Sequence, residues 1–162
     1  MAKFLKTIRF DQSDESVFPL AATEGEWAIS GAFAYFDLAQ ADIFGKEKQA
    51  FANGFLGLAS FGRSTFACVT NISDDDLKQT EQDLVASLLD RFGAPDLDIA
   101  RRAAADEMAF ICDLCVEPPA NTVFAVRRAF KEDGSINETF HMVRGDQDSG
   151  DARIWSMGTD DK

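Results

Sequence analysis

The stretch SDDDLKQTEQDLVASLLDRFGAP, residues 73–95, decides the fold. Ser73 followed by Asp76 resembles a capping box, with Asp in place of the usual Glu. Asp74, Asp75 and Asp76 sit where a helix dipole favours anions. Leu77, Leu84, Val85, Leu88, Leu89 and Phe92 recur at helical spacing and form an apolar stripe. Arg91 lies in the last turn, Gly93 caps it and Pro95 prevents continuation. Pro95 then opens a second helix that runs to about Cys115 and ends before Pro118-Pro119. Its apolar face is Leu97, Ala100, Ala104, Met108, Ile111 and Cys115. So short a link predicts an antiparallel helix pair.

On either side of this pair the chain reads as strands. Lys3 to Phe10 alternates, with Phe4, Ile8 and Phe10 on one face. Val17 to Leu20 is a short edge-strand candidate because of Pro19. Glu26 to Ile29 and Ala32 to Phe36 are two more short strands around Ser30-Gly31. Gly45 to Phe55 predicts a short helix with Phe51 and Phe55 on one face. Thr65 to Ile72 is a buried strand. Thr122 to Lys131 and Ser135 to Arg144 flank Glu132-Asp133-Gly134 as a β-hairpin. Strands, two helices and a hairpin predict an α+β domain over residues 1–144, an antiparallel sheet with the helix pair packed on one face. The acidic tail, residues 145–162, is expected to be mobile. Within it, Ala152 to Met157 is an isolated apolar island.

Composition narrows the function classes. The chain has 162 residues and a net charge of -12, from 28 Asp+Glu against 16 Lys+Arg. Residues 61–120 carry much of this, with 5 basic and 12 acidic side chains. Such a balance argues against nucleic acid and against anionic membranes. No run of about 18 apolar residues predicts a membrane span. No secretory signal is read at the start, and 3 Cys without disulfide spacing fit a reducing compartment, so a cytoplasmic location is expected.

No catalytic constellation is complete. Cys112 and Cys115 form a CxxC pair that Cys68 and His141 would extend to a zinc set, but the pair lies inside a helix and reads better as core. His141 is the single His and there is no G-x-S-x-G elbow, so a Ser/His/Asp triad is not supported. Gly54, Gly57 and Gly62 do not make a phosphate loop. The Asp146–Asp151 run fails as a calcium loop, because Gly150 and Met157 stand where acidic ligands belong. No cofactor is expected, and catalysis is not.

Aromatic residues carry the remaining signal. There are 15 Phe against one Tyr and two Trp. Eight aromatic residues from Phe33 to Phe66 fall around a Gly-rich block. More Phe than a core needs points to a binding patch that includes Phe51, Phe55 and Phe61. Trp155 in the apolar island is a second docking anchor. The leading expectation is a non-enzymatic accessory domain that binds a protein partner, one that its acidity would select as basic. The alternative is a small-molecule or cofactor-binding domain, possible as an enzyme, with an aromatic pocket and an anion grip at Arg63-Ser64-Thr65.

The opening Phe4-Leu5-Lys6-Thr7-Ile8-Arg9-Phe10-Asp11, with Gly45 to Gly57 and Phe61-Gly62-Arg63-Ser64-Thr65-Phe66, resembles a family of small bacterial proteins of unknown function. The resemblance extends to about Arg144. It implies no fold, activity or site residue. It does imply an accessory role, because such proteins are encoded near accessory genes of molybdenum-dependent formate dehydrogenases. An oxidoreductase assembly component is the partner it suggests.

Overall fold

The computed structural model describes residues 2–36, 38–143 and 154–156. Eight strands form one sheet: β1 (Ala2–Ile8), β2 (Trp27–Ile29), β3 (Phe55–Gly57), β4 (Arg63–Ser64), β5 (Phe66–Ile72), β6 (Val123–Phe130), β7 (Ile136–Val143) and β8 (Ile154–Ser156). Their order is β4-β3-β2-β1-β5-β6-β7-β8, and every neighbouring pair is antiparallel. The helices are α1 (Ser13–Val17), α2 (Lys46–Asn53), α3 (Asp74–Asp90) and α4 (Leu97–Leu114). This is an α+β fold with α3 and α4 packed together.

The α3–α4 pair forms where local chemistry places it. Ser73 Oγ accepts the Asp76 N–H at 3.0 Å. Asp96 Oδ1 does the same for Ile99 at 2.9 Å, so the cap of α4 follows Pro95. Gly93 stands at φ +75 just past α3. Leu84 and Leu88 from α3, and Ala100, Ala104, Met108 and Ile111 from α4, enter the main core with Phe4, Leu5, Val69, Phe124 and Phe140. Leu89 and Leu97, expected on the apolar faces, are exposed instead. In α3 the core position goes to Leu88, about 100° around the helix from its neighbour.

Three short elements differ from expectation. Residues 13–17 form α1, and 18–20 are a bend rather than an edge strand. Ala32–Tyr35 is a turn of 3-10 helix, not a strand, because Gly31 at φ +79 turns the chain out of β2. The third is α2, which stops at Asn53; Gly54 is already extended and Phe55 opens β3, so Phe51 and Phe55 share no helix face. The apolar island contributes β8, where Trp155 pairs with Phe140 in register. Asp146–Asp151 and the rest of the tail lie outside the described residues.

Candidate functional site

The aromatic residues picked out by the sequence are mostly structural. Phe55 is fully buried. Phe51 is buried too, stacked on Phe130 at 4.6 Å and edge-on to Tyr35 at 5.2 Å. Both belong to the core and not to an exposed patch: Phe55 sits on β3 within the sheet, and Phe51 packs from α2 against Phe130 of β6. Phe61 is half-buried, with the Arg91 guanidinium 4.6 Å above its ring and Phe92 at 6.1 Å. Of Trp155, the described backbone gives its place in β8.

Arg63, Ser64 and Thr65 do not converge on an open donor set, and this corrects the anion-grip expectation. Arg63 is buried and donates to the carbonyls of Gly54 at 3.1 Å and Gly31 at 3.2 Å. Burial pushes its guanidinium down to about 10. Ser64 Oγ donates to Phe66 O at 2.7 Å. Thr65 Oγ1 donates to the Asp14 carboxylate at 2.6 Å. An incoming anion would meet that carboxylate and would have to displace main-chain acceptors.

Around Arg63 lies a buried polar network that the sequence reading overlooked. Arg128, on β6, has a side chain 0% exposed and sits 2.7 Å from Glu138 of β7. Its remaining N–H groups reach the carbonyls of Phe51 at 2.7 Å and Gly54 at 3.0 Å, and that of Ser30. Ser30 Oγ in turn donates to Glu138 Oε2. One guanidinium therefore satisfies orphan carbonyls at the end of α2 and holds it to β2 and β6. Half-buried Glu107, on α4, faces the same charges. Burial, then repulsion from Glu138, push its carboxyl up to about 7, while Arg128 pulls the other way.

A second buried carboxylate organises two loops. Glu26 Oε1 accepts the N–H groups of Ala59 at 2.9 Å and Ser60 at 2.8 Å. Its Oε2 accepts Thr23 N–H and Ser60 Oγ–H, both at 2.6 Å. Burial pushes this carboxyl up, but the hydrogen bonds from Ser60, Ala59 and Thr23 outweigh it and leave the group below its ordinary range. A Cβ on Gly57 would press on Glu26 Oε1 and push the carboxylate out of these hydrogen bonds.

The cysteines are free, and Cys115 is buried in the core with its thiol pushed up to about 12 by burial. Burial and Asp113 raise Cys112 as well. Both shifts oppose thiolate chemistry. His141 lies in β7, and burial lowers its pKa. Among the described residues no three His, Cys, Asp or Glu side chains gather as a metal site. No helix among them is long and apolar enough to cross a membrane.

The exposed apolar surface lies elsewhere. Phe36 is 64% exposed and Phe44 72%, and Leu20 and Leu38 are exposed as well. Phe36, Leu38 and Phe44 come from the connection between β2 and α2, which has no strand periodicity to bury them. Leu20 and Leu38 also line a cavity of about 330 Å³ floored by Tyr35, Phe61 and Phe92.

Residues 1–156 match a family described as of unknown function, DUF6505. No curated protein and no solved structure matches the chain.

Proposed function

Because the chain belongs to that family, which brings no activity with it, we propose from its geometry a non-enzymatic accessory role: it binds another protein through Leu20, Phe36, Leu38 and Phe44. The observation that carries this reading is the exposure of two phenylalanines, 64% and 72%, close in sequence to each other. Fully burying a Phe is worth about 1.5–3 kcal/mol, so a partner that covers both has a strong driving force. Leu20 and Leu38 line a cavity with Tyr35, Phe61 and Phe92, the arrangement in which anchor side chains dock. The net charge of -12 steers basic partners toward it. The setting implied by the sequence resemblance makes an oxidoreductase assembly component, in the cytoplasm, the first partner to test.

Affinity capture from native lysate should retain a discrete partner on the wild-type chain and lose it on Phe36→Ser/Phe44→Ser. Thermal unfolding of that variant should stay within about 0.5 kcal/mol of wild type, since neither ring is in the core. Phe10→Ser, at an exposed ring packed 4.8 Å from Phe66, should keep the partner. Equal capture by all three chains contradicts the proposal.

A further inference from the structure

Two cavities are lined by neighbouring stretches of the same chain segments. The smaller, about 330 Å³, holds Leu20, Leu38 and Phe61. The larger, about 530 Å³, holds Trp27, Glu24, Glu26 and Asp83. The same two chain segments run through both: residues 19–27 and residues 56–61. Arg63 ties them together, its N–H donating to Leu20 O and its carbonyl accepting Ala22 N–H, both at 2.8 Å. Leu58, Ala59 and Ser60 face the larger cavity, and Phe61 the smaller. Phe61 stands at φ 61, a left-handed conformation that costs a bulky residue on the order of 1–3 kcal/mol. That conformation separates Phe61, which lines the smaller cavity with Leu20 and Leu38, from the preceding residues, which line the acidic one.

We propose that the two cavities form a single bipartite dock for a basic amphipathic segment of the partner protein. An apolar side chain fills the space at Leu20, Leu38 and Phe61, and a Lys or Arg side chain enters beside Trp27, Glu24 and Asp83. This rests on the protein-docking reading above and adds the chemistry of what docks.

Charge complementarity selects the occupant. Among the described residues the ion pairs are Arg9–Glu15 and Arg128–Glu138, so none of the cavity's three carboxylates is in an ion pair. Glu24 accepts the Arg9 main-chain N–H at 3.3 Å, and Asp83 the Gln79 amide at 3.0 Å. Glu26 is held ionised by its four hydrogen bonds. Lys6 Nζ rests 4.4 Å from the Trp27 ring centroid, so one indole face already carries a cation. Lys6 and Arg9, the latter already paired with Glu15, stand near the three carboxylates, and the cavity stays net anionic. The smaller cavity, where Leu20, Leu38 and Phe61 stand with Glu47 and Arg63, then favours an amphipathic cation over a purely polar one.

The test uses the full chain carrying Trp155→Phe, which leaves Trp27 as the reporter. Three acetylated peptides are titrated at about 0.15 M salt: alternating Leu-Lys, alternating Leu-Glu and alternating Gly-Lys. The Leu-Lys peptide should change Trp27 emission saturably, and the other two should not. Glu24→Gln/Asp83→Asn should weaken binding about tenfold or more. Asp113→Asn/Glu117→Gln, the same charge change at exposed positions near the end of α4, should weaken it less than about twofold. Leu20→Ser/Leu38→Ser should also weaken it about tenfold. No saturable change with Leu-Lys, equal loss from both charge pairs, or Gly-Lys binding as tightly as Leu-Lys overturns the proposal. If Leu-Glu binds as well as Leu-Lys and Leu20→Ser/Leu38→Ser weakens both, the basic segment is wrong and the docking surface stands. If Leu20→Ser/Leu38→Ser weakens neither peptide and Phe36→Ser/Phe44→Ser retains its partner, both fall.

Discussion

Arg128→Met should destabilise the protein by about 3–5 kcal/mol, measured by urea unfolding. The change removes the cation from a pair at 2.7 Å whose arginine side chain has no solvent access. Glu138 is left as an uncompensated charge 13% exposed. The carbonyls of Phe51, Gly54 and Ser30 lose a donor together. Gly54 keeps one from Arg63 at 3.1 Å, so the end of α2 should loosen more than the β3–β4 edge. Arg128→Met/Glu138→Leu should recover part of the loss, because it removes the stranded charge but not the stranded carbonyls. A loss below about 1 kcal/mol in the single variant would mean that the network is not what joins α2 to the sheet.

Stability should fall as pH rises from about 4.5 to about 7 wherever Glu107 governs it. Its carboxyl stands at about 7 in the folded chain against 4.5 as a free side chain. Across that window the folded state holds more protons than the unfolded state, so the slope of unfolding free energy with pH is negative. Its contribution is fully present below 4.5 and lost above about 7. A shift of this size corresponds to at most about 3 kcal/mol, and partial solvation of the group reduces it. Glu107→Gln keeps the shape and removes the titration. It should flatten this part of the profile and raise the urea midpoint at pH 8 above wild type. A midpoint at pH 8 unchanged or lowered by the substitution contradicts the assignment.

Both residues were legible in the sequence once strand and helix parity were followed through. Arg128 shares the parity of Phe124 and Val126 on β6, all three buried. Glu107 falls between Ala104 and Ile111 on the buried side of α4. A charge in an apolar register asks for a partner, and Glu138 lies opposite Arg128 in the hairpin. The α3–α4 pair and the hairpin could be read because caps and turns act locally, at Ser73, Asp96, Gly93 and Gly134. Between Val17 and Phe36 the strand at Trp27–Ile29 could be read, but the bend at 18–20 and the 3-10 turn could not, since they depend on Gly31 and on hydrogen bonds to residues far along the chain. Leu20 O and Ala22 N–H, for example, both bond to Arg63.

The aromatic patch was placed on Phe51, Phe55 and Phe61, and of these Phe51 and Phe55 are buried. Phe51 and Phe55 were singled out because they lie in the Gly-rich block, but a regular element next to a sheet buries its aromatics. Phe36 and Phe44 belong to a connection with neither period, and nothing local predicts their exposure. The Arg63-Ser64-Thr65 reading failed for a related reason. Donors beside a glycine turn can serve an external anion or the chain itself, and here Gly31, Gly54, Phe66 and Asp14 take them.

The proposed docking surface is tested most directly by photo-crosslinking in the native cell, with benzoylphenylalanine placed in turn at Phe36, Phe44 and Phe10. One adduct of the same mass should form from Phe36 and from Phe44 and be absent from Phe10. The account is contradicted if neither Phe36 nor Phe44 yields an adduct, or if Phe10 yields the same one.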